Sequence, residues 1–111
     1  MERTFIELPE FIKDWKELGL GENELFDLET YLLKNPDAAP VVRGTGGVRK
    51  LRWATKGKGK SGGARVIYVD FVMKREIFFL AVYSKKVKEA MTDQECADLK
   101  RLVKRLLSEG A

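Results

Sequence analysis

The sequence predicts an α+β fold in the order β-α-α-β-β-β-α: a small, mostly antiparallel sheet with an N-terminal αα-hairpin and a C-terminal helix. Three observations carry this. Apolar residues recur at spacings of three and four over residues 8–33 and again over 96–107, the mark of amphipathic helices. Between them, from residue 48 to 83, the period drops to two and β-branched and aromatic residues accumulate, as strands require. Finally, Thr92-Asp93-Gln94-Glu95 has the form of a capping box, which sets where the last helix begins.

The elements follow in order. Residues 4–8 form a short β-prone run, ended by Pro9, which fixes φ and removes a donor but starts a helix comfortably. In that first helix Leu8, Phe11, Ile12, Trp15 and Leu18 make the apolar stripe, and Gly19 and Gly21 stop it. A second helix over residues 22–34 aligns Leu25, Leu28, Leu32 and Leu33 and ends at Asn35-Pro36. From residue 48, alternation puts Val48, Lys50, Arg52 and Ala54 on one strand face and Arg49, Leu51 and Trp53 on the other. A lysine and glycine loop at 56–63 interrupts it. Residues 65–72 and 77–83 then read as two strands paired in an antiparallel hairpin about a turn at 73–75, with Tyr83 on the face opposite Leu80 and Val82. The last helix buries Leu99, Leu102, Val103, Leu106 and Leu107, and Cys96 falls on the same stripe as a core cysteine.

With 111 residues, 44% of them hydrophobic and 34% charged, the chain is expected to form one globular domain over residues 1–111. No apolar run approaches the roughly 20 residues a membrane span needs. The N-terminal residues lack the pattern of a secretory signal, so a cytoplasmic location is expected. A single cysteine permits no internal disulfide, and the absence of histidine removes the usual zinc and iron ligand sets, so no metal or cofactor is expected. It also removes the commonest general acid or base and leaves proton transfer to other side chains.

The net charge of +4 conceals a strong asymmetry. Residues 1–37 hold ten acidic against four basic residues, whereas residues 38–69 carry Arg43, Arg49, Lys50, Arg52, Lys56, Lys58, Lys60 and Arg65 with no acidic residue. Like charges gathered this way repel one another, which is easiest to reconcile with an anion that normally occupies the site. A polyanion is the natural partner, with these cations contacting its phosphates. Residues 54–61 also satisfy a relaxed phosphate-loop pattern, but that motif opens a helix, and here the loop runs into the β-prone Arg65-Val66-Ile67-Tyr68. The plainer alternative is a solvated hairpin tip whose lysines discourage edge-to-edge pairing. Arg65, at a strand start facing a groove, is expected to contribute little to the core. Tyr83 and Lys85 end the last strand, where a ring for stacking on an unpaired base and a further cation would share an edge. Trp53 alternates with the cationic positions and is read as core on the helix side.

Three stretches carry a resemblance: Gly46-Gly47-Val48-Arg49-Lys50-Leu51-Arg52, then residues 56–68 (Lys-Gly-Lys-Gly-Lys-Ser-Gly-Gly-Ala-Arg-Val-Ile-Tyr), then Leu80-Ala81-Val82-Tyr83-Ser84-Lys85. Together they resemble the RelE/ParE toxin superfamily, and within it the HigB-like branch of RelE-type toxins from bacterial type II toxin-antitoxin systems. The likeness extends to the element order of nearly the whole chain. It implies a RelE-like fold and a small cytosolic toxin that cleaves mRNA in the ribosomal A site. It also implies neutralisation by a cognate antitoxin, often a helix-turn-helix DNA-binding protein. Lys50 and Arg52 fall where RelE-type toxins carry two basic residues on the second strand. Arg65 matches the arginine of the third strand, Lys85 a basic residue after the fourth, and Tyr83 lies near an aromatic used by some members. The loop is longer and richer in lysine than in RelE itself, and the histidine of some HigB toxins is absent.

The implied reaction is metal-independent attack of a ribose 2′-OH on the adjacent phosphorus. Arg65 leads the residues that would stabilise the extra negative charge, because guanidinium offers a fixed fork to phosphate oxygens. Repulsion among clustered cations favours a neutral amine, which makes one of Lys50, Lys56, Lys58 or Lys60 the base, with Lys85 or Tyr83 as the acid. Lys56, Lys58, Lys60, Arg49 and Arg43 are assigned to RNA binding. A ParE-like gyrase inhibitor or a non-catalytic RNA- or ribosome-binding module would carry the same basic belt.

Overall fold

The computed structural model describes residues 2–54, 63–87 and 90–109. Strand β1 (Thr4–Glu7) leads through an extended Leu8 into α1 (Pro9–Glu17), with the proline at the helix start. Gly19, at φ +77°, turns the chain, and α2 (Glu22–Lys34) opens on Gly21, whose amide donates to Glu24 Oε1 at 2.8 Å. Strands β2 (Arg49–Trp53), β3 (Ala64–Phe71) and β4 (Glu76–Ser84) follow. One 3₁₀ turn over Val72–Lys74 joins β3 to β4, closed by a left-handed Arg75. Helix α3 (Asp93–Glu109) starts at the predicted capping box: the Thr92 amide donates to Glu95 Oε1 at 2.9 Å, and the Glu95 amide to Thr92 Oγ1 at 3.1 Å. No helix among the described residues is long and apolar enough to cross a membrane.

The four strands lie in the order β1-β4-β3-β2, antiparallel except for the parallel β1–β4 pair, where Thr4 opposes Glu76. One irregularity sets the geometry of everything that follows. Ile67 pairs with Ala81 but Tyr68 with Phe79, so Leu80 is an extra residue in β4. The bulge puts Leu80 and Ala81 on the same face of the sheet, with Tyr83 beside them and only Val82 opposite. Strict alternation had set Tyr83 against Leu80; the extra residue reverses that relation.

Both faces of the sheet are covered. On one, α1 and α2 bring Phe11, Trp15, Leu28 and Leu32 onto Val66, Tyr68 and Phe79, and the Phe11 and Phe79 rings stack with centroids 4.8 Å apart. On the other, Val103 of α3 packs with Val48, Ile67, Val69 and Leu80, flanked by Leu99, Leu102 and Leu106. The predicted stripes narrow: Leu8 packs on the α3 side of the sheet, Leu33 joins neither core, and two further positions turn toward solvent. Ile12 and Leu107 are each about half exposed, because each sits next to a buried or half-buried neighbour and is turned about 100° around the helix from it. Cys96 is only half-buried and joins neither core; it lies one turn ahead of Leu99, beside the backbone of Gly44.

Polar anchors hold the long connection between α2 and β2. Tyr68 donates to the Pro36 carbonyl at 2.8 Å, Arg49 to the Ala39 carbonyl at 2.6 Å, and the Lys50 amide to the Pro40 carbonyl. In the turn that follows, the fully buried Thr45 hydroxyl donates to the Val42 carbonyl and accepts from the Val48 amide. On α2, burial and then the nearby Glu7 raise the Glu29 carboxyl pKa. A carboxyl shifted upward weakens the fold once the pH is high enough to ionise it. Glu29→Gln is therefore expected to raise the melting temperature at pH 7, with the gain fading as the pH falls through the carboxylate range; a pH-independent change would contradict this.

Candidate nucleic-acid interface

Strand alternation aims Lys50 and Arg52 to the α3 side of the sheet while Leu51 and Trp53 enter the helix-hairpin core. Register then brings cations from separate strands together. Arg52 of β2 stands opposite Arg65 of β3, and Arg65 stands opposite Tyr83 of β4. These three form one row across the sheet, spanning roughly 10 Å at ordinary strand spacing. Lys50 lies one step back, opposite Ile67. Lys85 follows at the same end, its amide donating to the Gly63 carbonyl at 3.3 Å. Beside the row is an open cleft of about 530 Å³ lined by Ala38, Ala39, Pro40, Lys50, Leu51, Arg52 and Arg65.

The row is graded in depth. Arg52 is exposed and Lys50, Tyr83 and Lys85 are half-buried, but Arg65 is only 3% exposed. The expectation that Arg65 contributes little to the core does not hold. Its strand is central, and Arg52 and Tyr83 flank it on the same face. A guanidinium held this way is pre-positioned, since its side-chain entropy is already spent in folding.

Of the other basic candidates, Arg49 faces away from the row and is tied to the Ala39 carbonyl. Arg43 is exposed in the turn before β2. Lys56, Lys58 and Lys60 lie outside the described residues.

Two features of the site were missed by sequence reasoning. Gly63 has φ +77°, and a Cβ there would collide with the Trp53 carbonyl oxygen and lie 3.1 Å from Ala54 Cα. Only glycine lets β3 start so close to the end of β2, two residues before Arg65. Gly63→Ala is expected to cost about 2 kcal/mol or more, read as a fall in the denaturant midpoint; unchanged stability would contradict the close approach. The second feature is a smaller pocket of about 210 Å³ between the sheet and α3, lined by Ile67, Ala81, Tyr83, Met91, Glu95, Asp98 and Leu99. It opens where the bulge brings the small Ala81 to this face. A positive φ and a bulge are backbone properties that side-chain pattern alone does not reveal.

Residues 42–110, which span β2, β3, β4, α3 and the whole row, match the model of the family described as the RelE toxin of the RelE/RelB toxin-antitoxin system. The chain belongs to the RelE toxin family. Its fold is similar to that of an Escherichia coli RelE toxin, solved in the free state as a mutant with two arginines replaced by alanine. The two share 21% identity at a TM-score of 0.56, over 80% of this chain and 90% of that one. As a RelE-family toxin it implies a cognate antitoxin partner. The match covers all the candidate residues assigned above, from Arg43 to Lys85, and leaves the helical hairpin outside it.

Proposed function

We propose that residues 1–111 act as one HigB-like, RelE-type toxin domain in the bacterial cytoplasm, cutting translated mRNA at the ribosome without a metal ion. The observation that carries this reading is the Arg52–Arg65–Tyr83 row beside an open cleft, with Lys50 and Lys85 at its margins. A ribose 2′-oxygen attacks the adjacent phosphorus, the new O–P bond forms as the bond to the 5′-oxygen breaks, and the products end in a 2′,3′-cyclic phosphate and a 5′-OH. Arg65 and Arg52 hold the non-bridging oxygens and stabilise the extra charge of the pentacovalent state. One of Lys50, Lys56, Lys58 or Lys60 takes the 2′-OH proton, Lys85 or Tyr83 returns one to the leaving oxygen, and the Tyr83 ring supports a base. Arg43, Arg49 and the 56–60 lysines hold flanking phosphates, and a helix-turn-helix antitoxin neutralises the toxin.

The test is to incubate the purified protein with message-programmed ribosomes, and separately with a supercoiling reaction, and to map new RNA 5′ ends. New ends within the coding sequence support the nuclease. Loss of supercoiling without new ends favours the gyrase-directed alternative, and ribosome binding without either favours a non-catalytic module. Replacing Lys56, Lys58 and Lys60 together with Gln is expected to weaken RNA binding and lower its salt slope by about 2, since each phosphate contact on a single strand contributes roughly 0.7. An unaltered slope returns that loop to the solvated-tip reading.

A further inference from the structure

A second group of cations stands apart from the catalytic row, on α3. Its middle turns carry Lys100, Arg101, Lys104 and Arg105, all exposed. Arg101 is tied to Asp98 and Arg105 approaches Glu109 at 3.9 Å. Lys100 and Lys104, one turn apart on the same side of the helix, have no ion-pair partner among the described residues. Lys100 lies against the turn before β2: a Cβ on Gly46 would sit 3.5 Å from its Cγ, just as one on Gly44 would sit 3.9 Å from Cys96 Cβ.

That turn is unusual in its own right. Gly44, Gly46 and Gly47 all have positive φ, and open space surrounds the position a Gly47 side chain would take. The turn is pinned from below by the buried Thr45, whose hydroxyl closes it at both ends. The Gly44 and Gly46 amides donate no backbone hydrogen bond to another described residue. Bare backbone next to open space permits close approach by a ligand, and undonated amides favour an anion. Arg43 is exposed at the head of the same turn.

The two cationic groups are joined by β2. Val48, which follows the glycine turn directly, is fully buried under α3, and Lys50 and Arg52 come to the surface beyond it on the same strand face. From Val48 to Arg52 is roughly 13 Å of extended strand. The path from the turn to the row therefore lies within the several-nucleotide footprint of a single-strand binding groove.

We propose that Arg43, the 44–47 glycine turn and Lys100 with Lys104 form a second phosphate-binding station, which holds the same RNA strand several nucleotides from the scissile phosphate. This rests on the nuclease reading above and adds the direction of the strand, from the row past the Pro40–Val42 segment that pairs with β2, toward the glycine turn and α3. The occupant is single-stranded RNA backbone, argued from charge, from the glycine amides and from continuity with the row.

The experiment compares wild type with a Lys100→Gln/Lys104→Gln double variant, using 2′-O-methyl RNA of three and of twelve nucleotides, which cannot be cleaved. Wild type is expected to bind the longer RNA at least tenfold more tightly. The variant is expected to lose most of that advantage and about 1.4 units of salt slope, with the three-nucleotide affinity and the single-turnover cleavage rate at saturation unchanged. Two results overturn the proposal: no length dependence in wild type, or a variant that keeps the full advantage. A wild-type protein that shows no length dependence yet still cuts message removes the second station and leaves the nuclease intact. One that neither binds nor cuts RNA removes both.

Discussion

Arg65→Ala is expected to slow message cleavage by about 10²–10⁴-fold, the range associated with removing a group that meets developing charge, and also to lower stability by about 2–3 kcal/mol. The second effect follows from burial. At 3% exposure in the central strand between Arg52 and Tyr83, truncation leaves both a void and a rearranged set of polar neighbours. The alanine variant therefore confounds structure with catalysis, and Arg65→Lys separates them. Lysine keeps the charge and most of the aliphatic stem but loses the fork. It is expected to fold with a denaturant midpoint near wild type while cleaving at least tenfold more slowly. Lysine restoring full cleavage would reduce Arg65 to a positive charge, and alanine with wild-type cleavage would remove it from the reaction.

The largest pure stability effect is expected at the opposite end of the sheet. Arg3 Nε and Nη2 donate to the two carboxylate oxygens of Asp70 at 2.9 and 3.2 Å, with the side chains 4% and 9% exposed. The fork joins the residues ahead of β1 to β3 across the intervening β4. Asp70→Asn leaves the guanidinium facing a neutral amide and is expected to cost about 3 kcal/mol. Replacing both partners with apolar residues, Arg3→Met with Asp70→Leu, is expected to recover most of that loss, because much of the penalty is the stranded charge rather than the missing attraction. Measured by chemical denaturation, equal losses in the single and double variants would contradict this. Cleavage per folded molecule is expected to be unchanged in either, since Asp70 lies five residues along β3 from Arg65.

The elements were legible in the sequence because each has its own local signal. Pro9, the 19–21 glycines, Asn35-Pro36 and the Thr92 box mark helix ends, and period-two alternation alone separates Lys50 and Arg52 from Trp53. Convergence of Arg52, Arg65 and Tyr83 was not legible in the same way. It depends on the β2–β3 and β3–β4 registers and on the extra residue at Leu80, and a bulge in a continuous apolar run such as Ile77 to Val82 leaves no trace in side-chain pattern. The depth of Arg65 was hidden for a related reason: burial is a property of its neighbours across the sheet, not of its own position at a strand start. The paired cores explain why Ile12 and Leu107 were overcounted, since period arguments give the direction of a stripe better than its width.

The central claim is that the row across β2, β3 and β4 is where a phosphodiester is cut. Its most direct measurement uses wild type and a Lys50→Gln/Arg52→Gln double variant on message-programmed ribosomes, in parallel reactions, with the chemical ends of every fragment determined. Arg52 is exposed and Lys50 half-buried, so the variant is expected to fold with a melting temperature close to wild type. Wild type is expected to release fragments ending in 2′,3′-cyclic phosphate and 5′-OH, and the folded variant to release at least a hundredfold fewer. Fragments of the same kind and number from both proteins would contradict the account.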